Sequence, residues 1–247
     1  MKYLINLSYN GNEFYGYQIQ NNKLTVEGEL EKSLSKILNR KINTLGCSRT
    51  DKGVHALNQY CVFEYEDKLN IKKLKHSLNS IINQNIYIKS IKKVNDNFNI
   101  RNDVTSKRYV YKINMGEYNP IEKDYIYQYN KNIDKELLNT FIIKVSGEHN
   151  YRSFTSDKEN NNYIRNINVS YKISKKTLYL YFESTGFLRY MIRNIVGLLI
   201  DINNGKKSID DIEKIFNSLD RCSLGSSAPG IGLYLEKIVF KKWYISL

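Results

Sequence analysis

Three cysteines and three histidines are all that 247 residues offer for sulfur or imidazole chemistry, and their placement excludes the usual uses. Cys47, Cys61 and Cys222 are too few and too scattered for a disulfide framework or a CxxC zinc site, so they read as reduced thiols. His55, His76 and His149 stand isolated, without metal-ligand spacing, and His55 reads as a structural residue of its loop. No apolar run approaches the roughly 20 residues of a membrane span. The amino terminus, MKYLINLSY, alternates like a strand and lacks the apolar block and small-residue cleavage site of a secretory signal. No GxxxxGK loop is present, since the stretch 11–16 lacks its lysine, which argues against an enzyme built around nucleotide phosphates. A soluble protein that stays in the cytoplasm is expected.

Positive charge, by contrast, is abundant. Lysine and arginine number 38 against 25 acids, a formal net charge of +13, which suits a polyanionic partner and nucleic acid first. The 21 tyrosines add planar faces for stacking on bases, although most lie in alternating patterns that place them in a core. With 41% apolar residues, the chain is long enough for one large domain or two half-size ones, each with a core of its own.

Periodicity favours two. Tyr3, Ile5, Leu7 and Tyr9 share one side of a strand, and Val26, Leu30, Leu34, Ile37 and Leu38 then recur at helical spacing behind Thr25 as N-cap. A short run at 42–47, a polar loop at 48–58, a strand at 59–66, a helix through Ile71, Leu74, Leu78, Ile81 and Ile82, and a strand at 86–94 complete a β-α-β-β-α-β order. After a linker near 95–105 the order recurs without any sequence repeat. Tyr109, Tyr111 and Ile113 alternate, a helix carries Leu137, Leu138, Phe141, Ile142 and Val145, and strands follow at 164–173 and 177–183. A helix at 188–202, another opened by Ser208 and Asp211 as a capping box, and a strand at 232–240 close it. The polar stretch 155–162 reads as a mobile loop. The expected fold is α+β, two ferredoxin-like halves, 1–105 and 106–247, sharing a mixed, mostly antiparallel sheet with the active-site cleft between them.

The loop Gly46-Cys47-Ser48-Arg49-Thr50-Asp51-Lys52-Gly53-Val54-His55-Ala56 carries the chemistry. Cations on either side of Asp51 favour the charged form of an acid, and the glycines permit tight turns. For an arbitrary Arg-Thr-Asp, a turn in which the acid caps its own backbone is the plain alternative. The whole string, however, resembles the active-site signature of the tRNA pseudouridine synthase A family, Gly-Arg-Thr-Asp-x-Gly-Val-His-Ala, with Ser48 for the common glycine. Four further segments resemble the family in the same order. They are FYGYQIQ at 14–20, with Tyr17 for the usual tryptophan, SKRYVY at 106–111, FLRYMIRNIVG at 187–197, and APGIGLYL at 228–235, with Gly230 where proline is usual. The resemblance covers essentially the full chain.

It implies an isomerase that converts uridine to pseudouridine in the anticodon stem-loop of tRNA, at positions 38, 39 or 40, as a homodimer without metal or cofactor. By the same resemblance Asp51 is the catalytic carboxylate and nucleophile, and Arg193 its paired cation. Tyr109 lies against the target base and helps the final proton removal. Read without it, Tyr109 belongs to a strand face, and Arg193, among Met191, Ile192, Ile195 and Val196, snorkels to water. The resemblance also implies that Arg49 enters the RNA as the base leaves the stack, a guanidinium plane replacing lost contacts, where the residue alone reads as a phosphate-binding surface arginine. Gln18, Gln20, Lys52, Lys107, Arg108 and Arg189 complete the expected RNA-contacting set. Two alternatives stay open: a paralogue acting on another structured RNA such as ribosomal RNA, and a non-catalytic RNA-binding protein. β-α-β-β-α-β halves also describe RNA-recognition modules, but no RNP1 string is present.

Overall fold

The computed structural model describes residues 1–157 and 159–241. Its elements run β1 (Lys2–Tyr9), α1 (Val26–Leu38), β2 (Leu45–Gly46), β3 (His55–Glu64), α2 (Ile71–Ile81), β4 (Ile86–Val94), β5 (Val104–Asn114), β6 (Tyr127–Gln128), α3 (Lys135–Val145), β7 (Gly147–Asn150), β8 (Ile164–Ser174), β9 (Thr177–Ser184), α4 (Met191–Asn203), α5 (Asp211–Ser218) and β10 (Leu233–Phe240). The fold is α+β with mostly antiparallel pairing. No helix among the described residues is long and apolar enough to cross a membrane.

Two compact units emerge, one of Met1–Lys107 with the chain from Tyr234 onward, the other of Arg108–Leu233. In the first, the strands lie in the order β4-β1-β3-β10, and β2 pairs with the far end of β3, Gly46 opposite Cys61. β1 is antiparallel to both neighbours, whereas β10 runs parallel to β3 with Tyr234 opposite His55. Tyr3, Ile5, Leu7 and Tyr9 are buried as their alternation predicts, and Val26, Leu30 and Leu34 of α1 sit in the same core. Thr25 caps α1 as expected, its side chain accepting the Gly28 N–H at 3.3 Å, while Asn39 ends the helix in the left-handed region. Asn70 caps α2 in the same way through the Lys73 N–H. Of the five apolar residues counted towards α2, Ile81 faces outward at 43% exposure.

In the second unit the order is β5-β9-β8-β7, with β6 beside β5. Leu138, Phe141 and Val145 of α3 and ten residues of α4 are buried. Ser208 and Asp211 do engage each other, the Asp211 carboxylate accepting the Ser208 N–H at 2.8 Å.

Two boundaries differ from the periodicity. β3 begins at His55 rather than 59 because its first residues pair with Tyr9 of β1 and with Tyr234 and Leu235 of β10, partners that a local pattern cannot announce. α4 begins at Met191 rather than 188 because Tyr190 has φ of +61°, which no right-handed helix accommodates.

Candidate active site

Asp51 sits half-buried at a tight turn braced on both sides. The Val54 N–H donates to the Asp51 carbonyl at 3.1 Å, and Gly53 supplies the φ of +78° that the turn needs. Upstream, the Thr50 hydroxyl and the Tyr9 hydroxyl share a 2.8 Å hydrogen bond, and the Thr50 carbonyl accepts the Tyr17 N–H at 3.0 Å. The fully buried Gln59 donates to the Ser48 carbonyl at 2.7 Å. Downstream, the buried His55 ring stacks on Tyr234 at 4.6 Å, and its Nδ1 accepts the Gly11 N–H at 3.1 Å, a role only an unprotonated nitrogen can take. His55 is therefore structural in the loop. Gly16 lies so close that a Cβ there would stand 2.7 Å from the Thr50 carbonyl oxygen, and its φ of +104° favours glycine independently. The acid is thus displayed on a rigid backbone, as a preorganised reactive group requires.

Cations surround it. Arg49 and Lys52 are exposed, and the charge of Arg49 bears on half-buried Glu27, whose carboxyl burial pushes above its ordinary range. Lys107 points inward. Its ammonium donates to the Cys47 carbonyl at 2.9 Å, and burial lowers its pKa, so its observed work is to hold the loop. Gln18 and Gln20 are exposed, and the Gln20 amide donates to the Tyr15 carbonyl at 2.7 Å.

The second unit carries the other expected residues. Tyr109 is buried, its ring edge-on to Phe187 at 5.3 Å, and Arg108 lies over Tyr181 at 5.7 Å. Half-buried Arg193 donates from Nε to the Ala228 carbonyl at 2.7 Å, while the Ala228 N–H returns a bond to the Arg193 carbonyl at 2.9 Å. A Cβ on Gly197, one turn on, would collide with the Ser226 carbonyl, so glycine lets α4 lie directly on this loop. Tyr111, fully buried, donates to the Pro229 carbonyl at 2.6 Å. Tyr190, in a backbone region that costs a bulky residue about 1–2 kcal/mol, holds the guanidiniums of Arg189 and Arg193 each 5.1 Å from its ring. Arg189 itself is exposed.

Four of these motifs, 14–20, 46–56, 187–197 and 228–235, lie within residues 7–103 and 142–241, which the sequence profile of the tRNA pseudouridine synthases matches; the segment 106–111 lies between the two matched stretches. The chain belongs to the tRNA pseudouridine synthase A family. It is 37% identical over 243 residues to a tRNA pseudouridine synthase A of Mycoplasma genitalium, covering 98% of this chain and 99% of that one. A tRNA pseudouridine synthase A of Malacoplasma penetrans is 38% identical over 97% of this chain and 100% of its own, and one of Aquifex aeolicus 35% identical over 96% and 98%. As a member of that family the chain is an isomerase, a uridine-to-pseudouridine synthase.

The synthase's departures from the family pattern have local accounts. Ser48 has no positive φ, so a side chain there brings no backbone strain. Gly230 opens a 3-10 turn that follows Pro229. Tyr17, in place of tryptophan, is completely buried beside the Cys61 thiol, and its hydroxyl makes no well-formed hydrogen bond among the described residues. Burial pushes that hydroxyl far above its ordinary pKa and the thiol up to about 12. Tyr17→Phe is therefore expected to leave stability unchanged or raise it by up to about 1 kcal/mol, read as the urea midpoint, because it removes a poorly satisfied buried hydroxyl and keeps the ring. A clear loss of stability would mean that the thiol is a real partner.

Sequence reasoning missed Tyr9, Gln59, Tyr190 and the buried Asn194, whose side chain ties the Phe154 carbonyl to Arg221 and Ser227. Gln59 and Asn194 did leave a signal: each is polar at a position whose neighbours by period are apolar.

Proposed function

We propose that this synthase isomerises uridine in the anticodon stem-loop of tRNA with Asp51 as nucleophile, and that it acts as a cytoplasmic homodimer. What supports the reading is the braced turn that carries half-buried Asp51 between the exposed cations Arg49 and Lys52. In the reaction the bond from the sugar C1′ to N1 breaks, a bond from C1′ to C5 forms, and the C5 proton leaves while N1 gains one, so nothing is transferred to or from the RNA overall. Such chemistry asks for an acid fixed in place and for a base taken out of its stack. Asp51 supplies the carboxylate, Arg193 its cationic partner, Arg49 the plane that fills the vacated stack, and Tyr109 the group against the base. Gln18, Gln20, Lys52, Arg108 and Arg189 face the RNA, and Lys107 serves it indirectly by holding the Cys47 carbonyl.

The test of the reading is tritium release from tRNA labelled at carbon 5 of uridine, followed by mapping of the modified positions. Transcripts whose only uridines lie in the anticodon stem-loop should be turned over, and transcripts lacking uridine there should not. Turnover confined to other stems would overturn the assignment. Affinity should also follow the basic surface. The log of the binding constant is expected to fall linearly with log salt, by about 0.7 for each phosphate neutralised on single strands and more on duplex. Binding indifferent to salt between low and moderate ionic strength would contradict it.

A further inference from the structure

Beside the catalytic turn, one aromatic ring holds two lysines. The Lys52 ammonium stands 4.3 Å from the centroid of Tyr15 and the Lys23 ammonium 4.6 Å from the same centroid. The two charges are therefore at most about 9 Å apart, close to one Debye length at physiological salt, so each feels the other. Neither has an acid as partner: among the described residues no carboxylate pairs with Lys23 or Lys52, whereas lysines elsewhere, such as Lys32, Lys206 and Lys214, each pair with one. Tyr15 is 40% exposed, and both lysines are exposed. Two like charges drawn to one ring without a counter-ion are a poor way to stabilise a surface and a good way to await an anion.

The platform is also stiff. Tyr15 donates its N–H to the Leu24 carbonyl at 2.8 Å, the Gln20 amide holds the Tyr15 carbonyl at 2.7 Å, and the Lys23 N–H reaches the Gln20 carbonyl at 3.3 Å. Phe14 is buried on one side of Tyr15, and on the other Gly16 rests against the Thr50 carbonyl of the Asp51 turn. Lys52 follows Asp51 directly in the chain.

We infer that Tyr15, Lys23 and Lys52 form a phosphate-binding platform that grips the backbone of the RNA strand as it reaches the catalytic turn. Tyr15 is the positioning residue, its ring holding both ammonium groups in place before the RNA arrives. The inference rests on the reading of Asp51 as the catalytic acid only for what the platform serves. Its own test is binding.

The experiment measures equilibrium binding of an unmodified tRNA transcript across a salt series, with wild-type tritium release from the same transcript run alongside. Lys23→Gln and Lys52→Gln should each lower the salt slope by about 0.7, and the double variant by about twice that. Tyr15→Phe should bind like wild type, because phenylalanine keeps the ring face. Tyr15→Leu should keep the slope and lose roughly three- to ten-fold in affinity. Lys72→Gln with Lys73→Gln, exposed on α2, is the control for net charge. An unchanged slope in the Lys23/Lys52 double variant, or an equal fall in the α2 control, overturns the platform. Tyr15→Leu binding like wild type removes Tyr15 from it. Should the wild type release no tritium from tRNA, the functional reading fails while the slopes still judge the platform.

Discussion

Asp51→Asn is expected to lower tritium release from carbon-5-labelled tRNA by at least about 10³-fold, since a nucleophile removed from a covalent mechanism leaves only binding and orientation behind. The substitution is nearly isosteric, and backbone and neighbouring groups also shape the turn: the Val54 N–H bonds to the Asp51 carbonyl, Thr50 to Tyr9, and the Gly11 N–H to His55. RNA affinity should stay within roughly two-fold of wild type, because it comes largely from phosphate contacts. Loss of activity with intact binding assigns the acid to the chemistry. Turnover near wild type would remove Asp51 from the mechanism.

The second large effect is expected at Arg193. Its Nε holds the Ala228 carbonyl while the plane of the guanidinium lies near Tyr190, so the residue anchors a loop and presents a fork in a fixed orientation. Lysine keeps the charge but has one compact ammonium, which cannot hold Ala228 and orient a carboxylate together. Arg193→Lys should cost about 10²-fold in kcat with a few-fold change at most in tRNA affinity. Arg189→Lys supplies the control within the same turn of chain. Arg189 is exposed and its contact with Tyr190 is a cation over a ring, which lysine can reproduce, so kcat should barely change. If Arg193→Lys were fully active while Arg189→Lys were dead, the roles given to the two arginines would have to be exchanged.

How far the sequence could be read depended on whether a property was local. Thr25, Val26, Leu30 and Leu34 lie within one stretch of chain, and both the cap and the buried face of α1 were legible there. The start of β3 was not, because it depends on Tyr9 and Tyr234, at opposite ends of the chain. The same division holds at the site. The ordered string from Gly46 to Ala56 marks Asp51 and its neighbours, and its resemblance to a family carries the chemistry. Lys107 shows the limit: a lysine in a basic strand segment reads as an RNA contact, and nothing nearby tells that its ammonium turns inward to the Cys47 carbonyl. Tyr190 was equally silent, since a left-handed tyrosine has no sequence signature and is recognised only as the residue that delays α4. Lys23 and Tyr15 are eight residues apart in an irregular segment with no period to read, and their meeting over one ring is a property of the folded loop.

The parallel pairing of β10 with β3 has a consequence for the order in which the chain is made. His55, just downstream of the Asp51 turn, finds its stacking partner in Tyr234, and Asn58 donates to the Glu236 carbonyl at 2.8 Å. Those partners are made much later, Glu236 being 178 residues beyond Asn58. A nascent chain can build β1, β3 and β4 early, but the strand beside β3 stays absent until the whole of Arg108–Leu233 has been made, and closing so long a loop is slow. The flank of the Asp51 turn is thus finished by a segment made long after it. A chain stopped short of Tyr234 would carry the whole Asp51 motif and lack the ring against which His55 is set.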